Sequence, residues 1–265
     1  MPHQRKMGNV VNRFIGCFAA IATLLLAQAA PAAAADINVY STIGVRGALE
    51  QLVPEFQKQS GQTLAITWGT AAALTKRIEA GEVTDVAILT RGNIDTLIKD
   101  GKIATGSDVT LANSAVAVAV KEGTLKPDIS TPDALKQALL KAKSIAYSNP
   151  AAGGASGVYF AKLLDRMGIA DAVKAKTKFP PAGGNAATLL ISGEAELAIQ
   201  QKPEVMAVPG ADVVGPLPGD FNHVTAFVAG VSAASKNADQ ANALLKFLQT
   251  PDAAKVFTAS GFEGN

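Results

Sequence analysis

The chain has 265 residues, 48% of them hydrophobic and 17% charged, with 24 basic and 22 acidic side chains. Three of the basic residues and none of the acidic ones precede residue 36, so the remainder carries a net charge of −1, which gives no support to a basic groove for nucleic acid. The single cysteine, Cys17, falls in that first segment, and His223 is the one histidine beyond it, which excludes disulfides, thiolate metal sites and a histidine-rich zinc centre from the rest.

The first segment reads as a secretory leader. Arg5, Lys6 and Arg13 precede an apolar run over 14–26, and small residues over 28–35 end in Ala33-Ala34-Ala35. This is the pattern of a signal peptide with an A-x-A cleavage site. The run is about a dozen residues, short of the roughly 20 that a membrane span needs. Cys17 lies at the front of the run rather than at the cleavage point, so lipidation is not expected. About 230 residues follow the leader, enough for one large domain or two lobes of about 100.

The stretch 36–91 reads strand (37–40), helix (45–59), strand (63–68), helix (71–80), strand (85–89). Leu49, Leu52, Val53 and Phe56 recur at helical spacing, and Ser60-Gly61 stops that helix. Residues 85–89 form a continuous apolar run, as a central parallel strand should. A short helix through Ile94, Leu97 and Ile98 ends at Gly101. Each strand end runs into small or polar residues: Ser41-Thr42, then Gly69-Thr70-Ala71, then Thr90-Arg91-Gly92. In a parallel sheet such ends share one rim, and a helix begins after each. A helix N-terminus carries unpaired N–H groups and partial positive charge, so this rim is a ready anion site.

A long apolar strand over 111–120 leads to a polar break over 121–131, then a helix opening at Thr131-Pro132. A strand over 144–148 runs into a glycine-rich loop, and a helix opens at Ser156-Gly157. The same device recurs at 176–192, where Pro180-Pro181-Ala182-Gly183-Gly184-Asn185 separates a strand from a short helix. A strand over 196–201 ends in two amides, Gln200 and Gln201. Residues 202–220 read as loop with one short strand at 212–214. Residues 223–232 read as a return strand, and two helices over 238–250 and 252–260 close the chain. The expected architecture is α/β with two lobes, each a doubly covered, mostly parallel sheet. Lobe 1 is 36–113 plus 226–265 and lobe 2 is 114–225, with the cleft between them.

The segments INVYSTIGVRGALEQLVPEFQKQSGQ and TWGTAAALTKRIEAGEVTDVAIL near the start, and KNADQANALLKFLQTPDAAKVFTASGF near the end, resemble type II periplasmic solute-binding proteins. Among these they resemble the molybdate-binding group of ABC importers, over nearly all of the chain beyond the leader. The resemblance implies two hinged lobes that trap a ligand for delivery to an inner-membrane permease. It also implies a periplasmic location, a monomer and no cofactor, metal or nucleic acid. In that group small hydroxyls and backbone N–H groups hold an oxyanion, and the matching positions here are Ser41, Thr42 and Gly69-Thr70-Ala71. The group usually has a serine-rich second turn, whereas this chain has Thr70-Ala71-Ala72 and adds Arg46 and Arg91. An arginine fork suits a carboxylate, so an organic di- or tricarboxylate is expected as ligand.

The candidate ligand residues are therefore Ser41, Thr42, Arg46, Thr70, Arg91, Ser156, Gly157, Tyr159 and Asn185, with Gln201 a weaker one. Ser41, Thr42 and Thr70 also fit as plain helix caps, and Arg46 also fits as a surface ion pair with Glu50 at i+4. Aconitate isomerase of some bacteria is similar to the same group and acts on a tricarboxylate. An isomerase is thus the alternative to a transport binder, although no catalytic residue can be assigned. Tyr159, Glu204 and His223 are the open choices for a base. A DNA-binding regulator sharing this fold is disfavoured by the leader and by the lack of a helix-turn-helix.

Overall fold

A computed structural model describes residues 37–263. The expected leader lies outside the described residues. β1 (Ile37–Thr42) leads through a 3-10 turn (Ile43–Val45) into α1 (Arg46–Ser60), which ends at Gly61 in the left-handed region, φ 69°. β2 (Leu64–Gly69), α2 (Ala71–Glu79), β3 (Val86–Thr90) and α3 (Arg91–Lys99) follow. The long β4 (Val109–Lys121) passes to α4 (Pro132–Lys141), β5 (Ile145–Tyr147), a 3-10 turn (Pro150–Ala152) and α5 (Ala155–Arg166). Next come α6 (Ala170–Lys174), β6 (Thr177–Lys178), α7 (Thr188–Ile191), β7 (Leu197–Gln201), α8 (Lys202–Met206) and β8 (Ala211–Pro216). The return strand β9 (Val224–Val231) precedes α9 (Ala238–Leu248) and α10 (Pro251–Ala259).

The strands run in the order β2-β1-β3-β9-β4-β7-β5-β6, with β8 also on β4. β1, β2 and β3 are mutually parallel, as are β5, β6 and β7. β9 and β4 are antiparallel between these two sets. β4 pairs with β9 up to Ala115 and with β7 from Val116 onward. One strand thus serves both halves, and each half keeps three parallel strands whose C-terminal ends share a rim. This is the two-lobed α/β architecture that the strand and helix order predicts.

Each half buries side chains on both faces of its sheet. In the first half, Val39, Leu49, Phe56, Ile88, Leu244 and Phe257 pack on one face. Tyr40, Leu74, Ile78, Leu89, Ile94 and Leu97 pack on the other. The closing helices α9 and α10 therefore cover the first half, because their apolar stripes are complementary to that of α1. In the second half, Val118, Leu135, Phe160 and Leu164 fill one face. The buried residues on the other are alanines with Leu190 and Val205, and Leu189, Val208 and Val213 pack at its edge.

One buried acid pins this frame. Asp85 is 3% exposed, and its carboxylate accepts from the Asn38 N–H at 2.9 Å, the Ser235 hydroxyl at 2.6 Å and the Asn237 amide at 3.3 Å. It ties the start of β3 to β1 and to the segment before α9. Asp85→Asn replaces one acceptor oxygen with a donor that faces other donors. The expected cost is about 2 kcal/mol, read as a lower midpoint in urea unfolding; an unchanged midpoint would mean that these bonds are readily replaced by water.

Candidate functional site

Thr42, Thr70 and Ser156 line one hollow. Its walls are the end of β1 and the turn after it, the start of α2, the end of β5, the start of α5, the 180–184 loop and the β7–α8 junction. The enclosed space is about 30 Å³, room for two or so water molecules. No lysine or arginine is among the described residues that line it. Positive potential comes instead from backbone. No side chain caps α5, whose N-cap is Gly154, so the N–H groups of its first turn are available to an anion. Ser156 is 2% exposed, and its hydroxyl has no hydrogen-bond partner among the described residues.

The two threonines double as caps. The Thr42 hydroxyl accepts from the Gly44 N–H at 3.4 Å. The Thr70 hydroxyl accepts from the Ala73 N–H at 3.2 Å and donates to the Ala152 carbonyl at 2.7 Å. The second bond joins the start of α2 to the 3-10 turn after β5. The walls also touch beside it: a Cβ on Gly153, whose φ is +73°, would lie 2.5 Å from the Ala72 Cβ. Only glycine combines that backbone with that approach.

Gln201 is a stronger feature than its place at a strand end suggests. It is 2% exposed, its Nε2 donates to the Thr225 hydroxyl at 2.8 Å, and its Oε1 is buried without a partner. Thr225 can equally donate to the amide oxygen, so the free end of Gln201 can be presented to the hollow as NH₂. An orphaned amide beside an uncapped helix start is what a ligand would complete.

Other expected site residues lie elsewhere. Ser41 is fully buried, and its hydroxyl donates to the Thr42 carbonyl at 3.3 Å. Gly157 is close against the Ser148 carbonyl and is not among the residues that line the hollow. Tyr159 donates to the Phe221 carbonyl at 2.9 Å and stacks on His223, ring centroids 4.1 Å apart. That pair sits outside the hollow, and burial lowers the pKa of His223. Arg91 is held by Asp108 at 2.6 Å, Thr110 at 3.0 Å and Asp95 at 3.3 Å. Arg46 pairs with Glu50 at 2.7 Å, both about half exposed, and lies over the Trp68 ring. Neither arginine lines the hollow: each has an acidic partner on its own helix, and Arg91 borders a separate space with Thr90, Ala155 and His223.

Arg46 does line a second space. A groove of about 680 Å³, open to solvent, adjoins the hollow and is bordered by Arg46, Glu50, Gln51, Asn185, Met206 and Ser260. Asn185 is turned from the hollow, its amide donating to the Glu204 carbonyl. Ile43, Gly44, Gly183, Gly184 and Glu204 border both spaces. Glu204 is the one titratable side chain among the described residues lining the hollow. Burial pushes its carboxyl up to about 7, opposed by the Gln200 amide donating to it at 2.9 Å and by the Gln201 backbone. It stands on α8, within a segment that reads as loop. Five residues are too few for periodicity to register, although Pro203 at the helix start was a usable signal.

Residues 37–263 match the family described as bacterial extracellular solute-binding protein. The chain is 36% identical to an aconitate isomerase from Pseudomonas sp over 253 residues, 92% of this chain and 95% of that one. It is 23% identical to the molybdate-binding protein ModA of Escherichia coli (strain K12), over 96% of this chain and 99% of that one. Among solved structures, the periplasmic molybdate-binding protein of Azotobacter vinelandii superposes with a TM-score of 0.72 at 21% identity, covering 87% of this chain and 100% of its own. The frame of paired parallel strand sets, the rim hollow and these matches lead to one conclusion: the chain belongs to the bacterial extracellular solute-binding protein family.

Proposed function

We propose that the protein captures a small anion in the hollow between its lobes, in the periplasm, and hands it to an ABC importer. The observation that carries this reading is the uncapped start of α5, with Ser148 against it, bordering one space with Thr42, Thr70 and Gln201 and with no cation in its lining. Neutral donors and helix N–H groups hold a desolvated anion without leaving an unpaired buried cation when the site empties. Contacts from both lobes supply the differential affinity that closure needs. The lobes are taken as 36–113 with 226–265, and 114–225.

The hollow alone suits a compact oxyanion or one carboxylate. A polycarboxylate fits if its remaining carboxylates extend past Glu204 into the groove beside Arg46. Arg46→Ala is accordingly expected to lower the affinity for a tricarboxylate about tenfold, while molybdate or sulfate affinity changes by less than about twofold. Calorimetric titration reads both; equal losses for large and compact anions would place Arg46 outside any ligand contact or make its effect general.

A second reading, interconversion of cis- and trans-aconitate at the same site, is supported by the 36% identical relative that carries that activity in its name. A thermal-shift screen over molybdate, tungstate, sulfate, citrate and both aconitates tests the binding proposal. At least one anion should raise the midpoint while neutral sugars do not, and a flat response to every anion overturns it. Proton NMR of trans-aconitate with the purified protein separates the binder from the isomerase.

A further inference from the structure

We infer that Glu204 is the group that takes a proton from a carbon of the bound carboxylate and returns it to another. The inference rests on the isomerase reading. Its basis is position. Glu204 lies where the hollow meets the groove, and it alone among the described lining residues of the hollow can exchange a proton near neutral pH. Tyr159 and His223 are stacked on each other outside the hollow, and the Tyr159 hydroxyl is spent on Phe221.

The step balances without any further reagent. The Glu204 carboxylate takes a proton from the methylene beside a substrate carboxylate. That C–H bond breaks, and its electron pair spreads through the adjoining double bond into the carboxylate at the far end. The Glu204 acid then gives the proton to the far carbon of the allyl unit, and the double bond has moved by one position. In aconitate, CH₂–C=CH becomes CH=C–CH₂, each carbon keeping its carboxylate. The product is aconitate again, and its new double bond forms with either geometry. The developing negative charge falls beside the α5 N-terminus and the Gln201 amide, donors already fixed in place.

The surroundings suit one acid acting in both directions. A carboxyl held near 7 is present as base and as acid at neutral pH. Its neighbours leave it free of a counter-ion. On α1, Arg46 and Glu50 are paired with each other. On β8, Asp212 is paired with Lys126. β7 presents only Gln200 and Gln201, and Lys121 of β4 reaches the Ile191 carbonyl. Lys202, on α8 itself, is in none of the ion pairs among the described residues, with Glu204 or any other acid.

The test compares wild type, Glu204→Gln and Glu204→Asp with trans-aconitate in D₂O, following deuterium uptake and the cis isomer by NMR and binding by calorimetry. Glu204→Gln should bind trans-aconitate with affinity within about threefold of wild type, yet exchange deuterium and convert it about a hundredfold more slowly or less. Glu204→Asp, an acid one methylene short, should recover part of the rate. An active wild type with an equally active Glu204→Gln overturns the inference and leaves the isomerase reading standing. A wild type that binds aconitate but neither exchanges nor converts it overturns both, leaving anion capture intact.

Discussion

Gly157→Ala is expected to destabilise the protein by about 3 kcal/mol and to abolish anion binding. A Cβ at this position would lie 2.0 Å from the Ser148 carbonyl oxygen, 2.8 Å from its carbon and 3.0 Å from the Ser148 Cβ. The first two are backbone atoms, so no rotamer change relieves the overlap. Either the first turn of α5 lifts from the end of β5, or the strand end retreats. Overpacking of this kind costs roughly 1–3 kcal/mol even where side chains can yield. Both adjustments move Ser148 and Ser156, which line the hollow. Gly47→Ala is the matched control. Its Cβ would meet only the Ala207 Cβ at 3.6 Å, and alanine in a helix gains about 1 kcal/mol over glycine. Urea unfolding and calorimetry on both variants decide the matter; a Gly157→Ala protein as stable as Gly47→Ala would mean that the α5–β5 contact is soft.

The frame was legible because its signals are local. Apolar stripes, Gly61 after α1 and the Thr131-Pro132 and Thr250-Pro251 starts all act within a few residues. That Thr42, Thr70 and Ser156 would lie near one hollow was legible for a related reason: parallel strands bring their C-terminal ends, and the helix starts that follow them, together whatever the side chains. The arginines show where this stops. Strand order places Arg46 and Arg91 near the rim but leaves the direction of a long side chain open. Glu50 at i+4 was a readable partner for Arg46, whereas Asp108, 17 positions beyond Arg91, becomes a partner only once β4 is in place.

The acidic side of the site was hidden for another reason. α8 is held by its burial against β4, β8 and the turn after β1, and tertiary contact rather than propensity makes a five-residue helix. The helix in turn decides that Glu204 faces the hollow. The free end of Gln201 likewise exists only because Thr225, on the return strand, occupies the other end. Gly157 was read as part of a ligand turn because a glycine at a helix start fits both a close ligand and a close carbonyl.

Glu204→Gln is expected to raise stability at pH 8 and to have a much smaller effect at pH 5. The folded protein holds this carboxyl at about 7, against 4.5 when freely solvated, because burial penalises its charge. Between these values the folded state binds more protons than the unfolded one, so stability falls as pH rises. The favourable contribution of the neutral acid is complete below about 4.5, is lost through the interval up to about 7, and stays lost above it. A shift of this size corresponds to about 3 kcal/mol, and partial exposure of the side chain reduces it to about 2 kcal/mol. Glutamine does not ionise and keeps an oxygen for the Gln200 amide, so its stability curve should lack this fall. For a domain of this size the difference is a midpoint about 5 °C higher at pH 8. Parallel stability curves for the two proteins from pH 5 to 8 would show that the carboxyl is solvated and the hollow is wet. A glutamine variant that is more stable yet slower on aconitate would connect the two findings: an acid kept half-ionised in a largely buried position strains the fold at neutral pH, and proton transfer between carbons of a bound carboxylate is a function that requires it.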